Sequence, residues 1–107
     1  MWEIKETNEF EHEYDQLPPD IRDRFENQFK KLKENPYGIG KPLGYPWFRE
    51  LKNGKFRVYF LIYDQQVIVL FVGLSDKKSQ QVAINIIKNN LKMFKEFVEN
   101  GAKNYKE

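Results

Sequence analysis

The 107 residues, 40% of them hydrophobic and 16% aromatic, suffice for one domain around one core and are too apolar for a disordered chain. With no cysteine, disulfides, cysteine-built zinc sites and a cysteine nucleophile are excluded, which suits a reducing, cytoplasmic setting. The net charge of +2 hides an asymmetry, because Lys5, Arg22 and Arg24 are the only basic chains other than His12 in the acidic first 26 residues.

The remainder is therefore strongly basic, as for a chain that meets an anionic partner, although an ordinary solvated surface of mixed sign has the same composition. MWEIKETNEF lacks a basic segment followed by an apolar run, so no secretory signal is expected. No apolar run approaches the roughly 20 residues of a membrane span, so no membrane contact is expected either.

Trp2 and Ile4 alternate with Glu3 and Lys5, which predicts a short first strand with one buried face. Asn8 with Glu11 three residues on reads as a capping box, opening a helix whose face is Phe10, Tyr14 and Leu17. Pro18-Pro19 ends it. Asp20 is placed to cap a second helix, with Asp23 in its first turn and a stripe of Ile21, Phe25, Phe29 and Leu32. Asn35-Pro36 closes this helical hairpin, and PYGIGKPLGYP reads as a Gly/Pro-dense loop.

Three β-branched and aromatic runs follow, Trp47–Lys52, Lys55–Tyr63 and Val67–Leu74. Asn53-Gly54 separates the first two, and Asp64-Gln65-Gln66 the last two. Asn-Gly between such runs signals a tight hairpin, so an antiparallel meander is expected. A two-residue turn at Asn53-Gly54 sets Lys52 opposite Lys55, Glu50 opposite Arg57 and Phe48 opposite Tyr59, all on one face. Leu51, Phe56, Val58, Trp47 and Phe60 share the other, helix-covered face. Arg49 falls on that core face, which calls for a bulge in the strand or a sheet edge it can reach around. Val67 to Val72 is apolar on both sides and reads as an inner strand covered on both sides. After a polar segment, Ala83, Ile87, Leu91, Phe94 and Val98 form the stripe of one final helix, stopped at Asn100-Gly101, with 101–107 as a frayed tail. The expected fold is α+β: an N-terminal strand and helical hairpin on an antiparallel meander, with a C-terminal helix, in one domain over 1–107.

His12 is the only histidine, so no metal site and no cofactor are expected. GIGKPLG lacks the features of a phosphate loop, and no serine sits in a nucleophile elbow. What remains is a basic set on the polar sheet face: Lys52, Lys55 and Arg57, with Lys77 and Lys78 beyond the last strand and Arg49 nearby. Phe48 and Tyr59 lie among them. Cations for phosphates beside rings for bases are what single-stranded nucleic acid requires. The bland account is equally specific: Arg57 pairs with Glu50 across the ladder, and Lys52 and Lys55 guard a sheet edge.

At these residues the chain resembles the RelE/ParE superfamily of toxins from toxin–antitoxin pairs, in particular its RelE and HigB branches. The order of strand, helical hairpin ending in Asn-Pro, meander and final helix is similar over nearly the whole chain. FRELKNGKFRVYF resembles the family's basic strand, turn and aromatic-Arg-Val strand. VIVLFVGLSDKKSQQ resembles its apolar last strand and basic turn, and Lys-Lys-Ser-Gln is like the HigB branch.

The resemblance implies a metal-independent endoribonuclease that cuts messenger RNA on the ribosome and inhibits translation, held in check by a cognate antitoxin. It implies that Arg57 stabilises phosphate and transition state, that Arg49 and Lys52 are basic positions of which a lysine can be the general base, and that Lys77 binds the scissile phosphate. Lys55, Lys78, Phe48 and Tyr59, from the sheet-face pattern above, are the expected RNA contacts. The chain departs from the pattern at Ala83, near where RelE-like sequences carry a tyrosine, and it has no histidine there; Tyr45, Tyr59 and Asp76 are the possible replacements. The ParE branch, which inhibits DNA gyrase without nuclease residues, is the alternative, as is a silent member that only binds protein or RNA.

Overall fold

The apolar run around Val67–Leu74 becomes an interior strand of a five-stranded mixed sheet in a computed structural model of the chain, which describes residues 1–101. The strands are β1 (Glu3–Glu6), β2 (Lys41–Tyr45), β3 (Phe48–Asn53), β4 (Phe56–Tyr63) and β5 (Ile68–Asp76), in the order β1-β5-β4-β3-β2. The expected meander is β3-β4-β5, and the expected first strand adds in parallel to β5, with Ile4 beside Val69.

The hairpin register differs from expectation by one turn position. Asn53 pairs with Phe56, so the turn residues are Gly54 and Lys55 rather than Asn53 and Gly54. Of these, Gly54 takes the left-handed backbone, at φ 59°. Asn53 stays in the strand, its side-chain amide donating to the Gln28 side-chain oxygen at 2.7 Å. Each cross-strand partner thereby moves by two residues: Lys52 lies opposite Arg57, Glu50 opposite Tyr59 and Phe48 opposite Leu61. A shift of two preserves the faces, so the division of side chains between them stands as expected.

Part of the Gly/Pro-dense segment, expected as a loop, is ordered as a 3₁₀ turn at Pro36–Gly38 and the edge strand β2. Gly40 permits the close approach. It sits at φ 84°, and a Cβ there would stand 2.7 Å from the Glu50 carbonyl oxygen. The β2–β3 pairing shifts register between Pro42 and Tyr45, so the bulge lies opposite Arg49 rather than at it.

Helices α1 (Asn8–Asp15) and α2 (Pro19–Leu32) cover one face. Thr7, not Asn8, caps α1, its hydroxyl accepting from the Phe10 amide at 3.1 Å. Pro18 stands at the N-cap of α2 and Pro19 in its first turn, so Asp20 lies inside the helix rather than capping it. Phe10, Phe25, Phe29 and Leu32 bury against Ile4, Leu51, Val58, Phe60 and Phe71, with the Phe29 and Phe71 rings 4.3 Å apart.

The C-terminal segment is two helices where one was expected, α3 (Gln80–Lys88) and α4 (Leu91–Glu99). Asn90 causes the break. Its side-chain amide donates to the Ile86 carbonyl at 2.7 Å, the acceptor its backbone amide would use in a continuous helix, and that amide turns to Ile87 instead. Ile84, Ile87, Phe94 and Val98 bury on Phe48, Tyr59, Leu61 and Val72, forming a second core on the face expected to carry the polar and basic set, as the two-sided covering expected of the last strand requires. Both sides of the sheet are thus covered. No described helix is long and apolar enough to cross a membrane. The expected tail lies, from residue 102 on, outside the described residues.

Candidate functional site

The hairpin register brings the basic residues to one end of the sheet. Lys52, Arg57 and Ser75 form one row across β3, β4 and β5, and Glu50, Tyr59 and Gly73 form the next. Lys55 stands in the turn, its ammonium 5.3 Å from the Phe56 ring centroid. Phe56 is opposite Asp76, and Lys77 and Lys78 follow directly in the link to α3. Lys52, Lys55, Lys77 and Lys78 are all exposed.

The link is a tight polar turn. Asp76 accepts from the Ser79 amide and hydroxyl, both at 2.9 Å. These bonds, the backbone one foremost, hold the Asp76 carboxyl below its ordinary range, and the Lys55 charge adds to the effect. A carboxylate so held is a poor proton acceptor.

Arg57 lies one layer behind the lysines and is 5% exposed. Its Nη1 donates to the carbonyls of Gly54 at 3.1 Å and Phe56 at 3.2 Å. Its Nε is 3.9 Å from Glu50 Oε1 and makes no hydrogen bond. The pairing with Glu50 considered from sequence therefore exists, but diagonally and buried, where removing either partner is costly. Glu50 in turn accepts from the Gln80 side-chain amide at 2.9 and 3.1 Å, tying the first turn of α3 to β3. Tyr59 and Ser75 share a hydrogen bond of 2.8 Å. Burial pushes the Tyr59 phenol up, Glu50 adds to this, and Ser75 and Arg57 oppose it. Gln80 and Ser75 had not been singled out, although Ser75 is signalled by its place two residues before Lys77.

Three expected site residues do not join this set. Arg49 points to the opposite face, where Nε, Nη1 and Nη2 donate to the carbonyls of Ile39, Pro46 and Gly40 at 3.2, 3.2 and 3.0 Å. It fastens the segment around β2 and is not available to a phosphate. Phe48 and Tyr59 have no exposed surface, because α3 and α4 lie over them, so neither ring is available to a base. Tyr45 pairs with Phe48 at the other end of β3, and His12 is exposed on α1 beside Gln16. Among the described residues no three His, Cys, Asp or Glu side chains gather as a metal site. The arrangement offers four exposed lysines at the sheet end that holds a fixed guanidinium, which is suited to holding a chain of phosphates.

No protein-family model matches the chain, and no curated protein sequence does. Solved structures do. A variant of the Escherichia coli toxin RelE in the free state superimposes with a TM-score of 0.67 at 18% identity, over 80% of this chain and 97% of that one. The toxin–antitoxin complex RelBE2 of Mycobacterium tuberculosis gives 0.59 at 23% identity, over 70% and 96%. The archaeal RelE–RelB complex of Pyrococcus horikoshii gives 0.60 at 16%, over 71% and 94%. This chain has the RelE toxin fold. At these identities the likeness is one of backbone, so within the RelE fold the residues above must be judged on their own geometry.

Proposed function

We propose that this chain is the toxin of a toxin–antitoxin pair and cuts messenger RNA on the ribosome without a metal ion. The observation that carries the reading is the convergence of Lys52, Lys55, Lys77 and Lys78 around Arg57 at one end of a RelE-fold sheet. In the reaction a ribose 2′-hydroxyl attacks the adjacent phosphorus, and the 5′-oxygen of the next nucleotide leaves. Lys52, as its free amine, takes the hydroxyl proton, and water protonates the departing 5′-oxygen. Lys77 holds the scissile phosphate, and Lys55 and Lys78 hold its neighbours. Arg57, fixed by two carbonyls and facing Glu50, supplies preorganised positive charge behind them as the pentavalent state gathers negative charge. Arg49 is left out of this chemistry. The antitoxin is the expected protein partner, since several of the similar structures are RelE–RelB complexes.

A second reading is a member of the fold that binds RNA, gyrase or another protein without cutting. The burial of Arg57 and Tyr59 favours it, as does the absence of histidine from the basic end. Induced expression of the wild type and of Lys52→Ala, with growth, translation and transcript ends followed, separates the two. Growth arrest with new transcript ends that depend on Lys52 supports the nuclease. Arrest with intact transcripts and inhibited gyrase supercoiling supports the binder.

A further inference from the structure

At the opposite end of β3 the edge strand carries a second constellation. The rings of Tyr45 and Trp47 stack with centroids 4.5 Å apart and planes 16° from parallel. Tyr45 gives one face to this stack and is still 46% exposed. Trp47 continues into a cavity of about 420 Å³ that it lines with Tyr63, Asp64, Gln65, Gln66 and Lys95, the Asp64 carboxylate accepting from the Tyr37 hydroxyl at 2.7 Å. On the other flank, Lys88 reaches the β2 edge, its ammonium 3.9 Å from where a Cβ on Gly44 would stand. The two ends are separated by Phe48 to Lys52, roughly 13 Å at about 3.3 Å per residue.

We infer that the Tyr45–Trp47 stack, with its cavity and the flanking Lys88 and Lys95, is a binding site for the bases of single-stranded RNA. A half-exposed ring already stacked on another is a platform that a base extends, and stacking accepts any base because every base has a flat face. Gln65 and Gln66 line the cavity and carry amide groups of the kind that pair with a base edge. Lysines on both flanks sit where phosphates on either side of a stacked base would pass. An acidic peptide would meet the same lysines, but the exposed flat face of the stacked pair favours a base, and the test separates the two. The site is distinct from the basic end, and the inference stands whether or not the chain cuts RNA.

The test uses the full chain as Trp2→Phe, which leaves Trp47 as the sole tryptophan, of the two present, to report by fluorescence. The probes are a 2′-O-methyl oligoadenylate, which cannot undergo 2′-hydroxyl attack, and an abasic oligomer of equal length and charge. The oligoadenylate is expected to quench Trp47 and the abasic oligomer not to. Tyr45→Ala, a change of an exposed side chain, is expected to weaken binding about fivefold or more. Lys88→Ala and Lys95→Ala should each flatten the dependence of log K on log salt by about 0.7. Lys52→Ala should leave the quenching in place. Equal quenching by the abasic oligomer, an unchanged affinity in Tyr45→Ala, or quenching by a protein partner with none by RNA would each overturn the assignment.

Discussion

Arg49 and Arg57 stand eight positions apart in a stretch rich in cations, and their surroundings divide them. Arg49 supplies donors to the carbonyls of Ile39, Gly40 and Pro46, which have turned away from regular pairing. Arg49→Ala should leave those acceptors unsatisfied and destabilise the chain by about 2–4 kcal/mol in urea denaturation. Its charge-conserving partner Arg49→Lys should recover only part, because one ammonium cannot reach three divergent carbonyls. Period-two alternation placed Arg49 correctly on the core face, but two of its three acceptors come from backbone nine and ten residues earlier and the third from the turn before β3, which alternation does not describe. Tyr37 illustrates a residue with no sequence signal at all. Burial, and then a 2.7 Å hydrogen bond to Asp64, push its phenol from 10.0 up to about 12. Because the folded state holds this proton more tightly, the contribution is full below the ordinary value and is lost as pH rises through the folded one. Stability of the wild type relative to Tyr37→Phe should therefore fall between about pH 10 and 12 and stay flat below, as denaturation across that range would register.

Among the elements, the strands of the meander and the helical hairpin were legible because each has a single dominant period and strong punctuation. The edge strand β2 was not, since KPLGY has no apolar alternation and its place is fixed by pairing to β3. The C-terminal region was legible as a stripe but not as a break, because a carbonyl captured by the Asn90 side chain leaves no trace in periodicity. The larger misreading concerned what that stripe covers. Phe48, Tyr59 and Leu61 share a face and required burial as much as the opposite face did, and α3 and α4 provide it. Phe94→Ala tests this directly: with Phe94 only 7% exposed, its truncation should cost about 3–5 kcal/mol and expose the second core to dye binding. A loss below about 1 kcal/mol would mean that α4 contributes little to covering the sheet.

For the molecule as a whole, the account rests on cations from three places in the chain meeting at one end of the sheet. That convergence was legible in outline, because hairpin geometry carries Lys52 to Arg57 and the last strand carries Lys77 back to the same end. The expectation that Phe48 and Tyr59 lie available among them was not met, and the available surface is the rim, where exposed lysines neighbour a buried arginine. Lys52 and Lys77 are exposed and outside both cores, so replacing them should change stability by no more than about 0.5 kcal/mol. The decisive measurement is therefore the mapping of transcript ends on translating ribosomes incubated with purified wild type and with Lys52→Ala/Lys77→Ala. The wild type should generate new ends only when ribosomes are present, and the double variant, still folded, should do so at least about a hundredfold more slowly. Intact transcripts with the wild type, or undiminished cleavage by the double variant, would contradict the account.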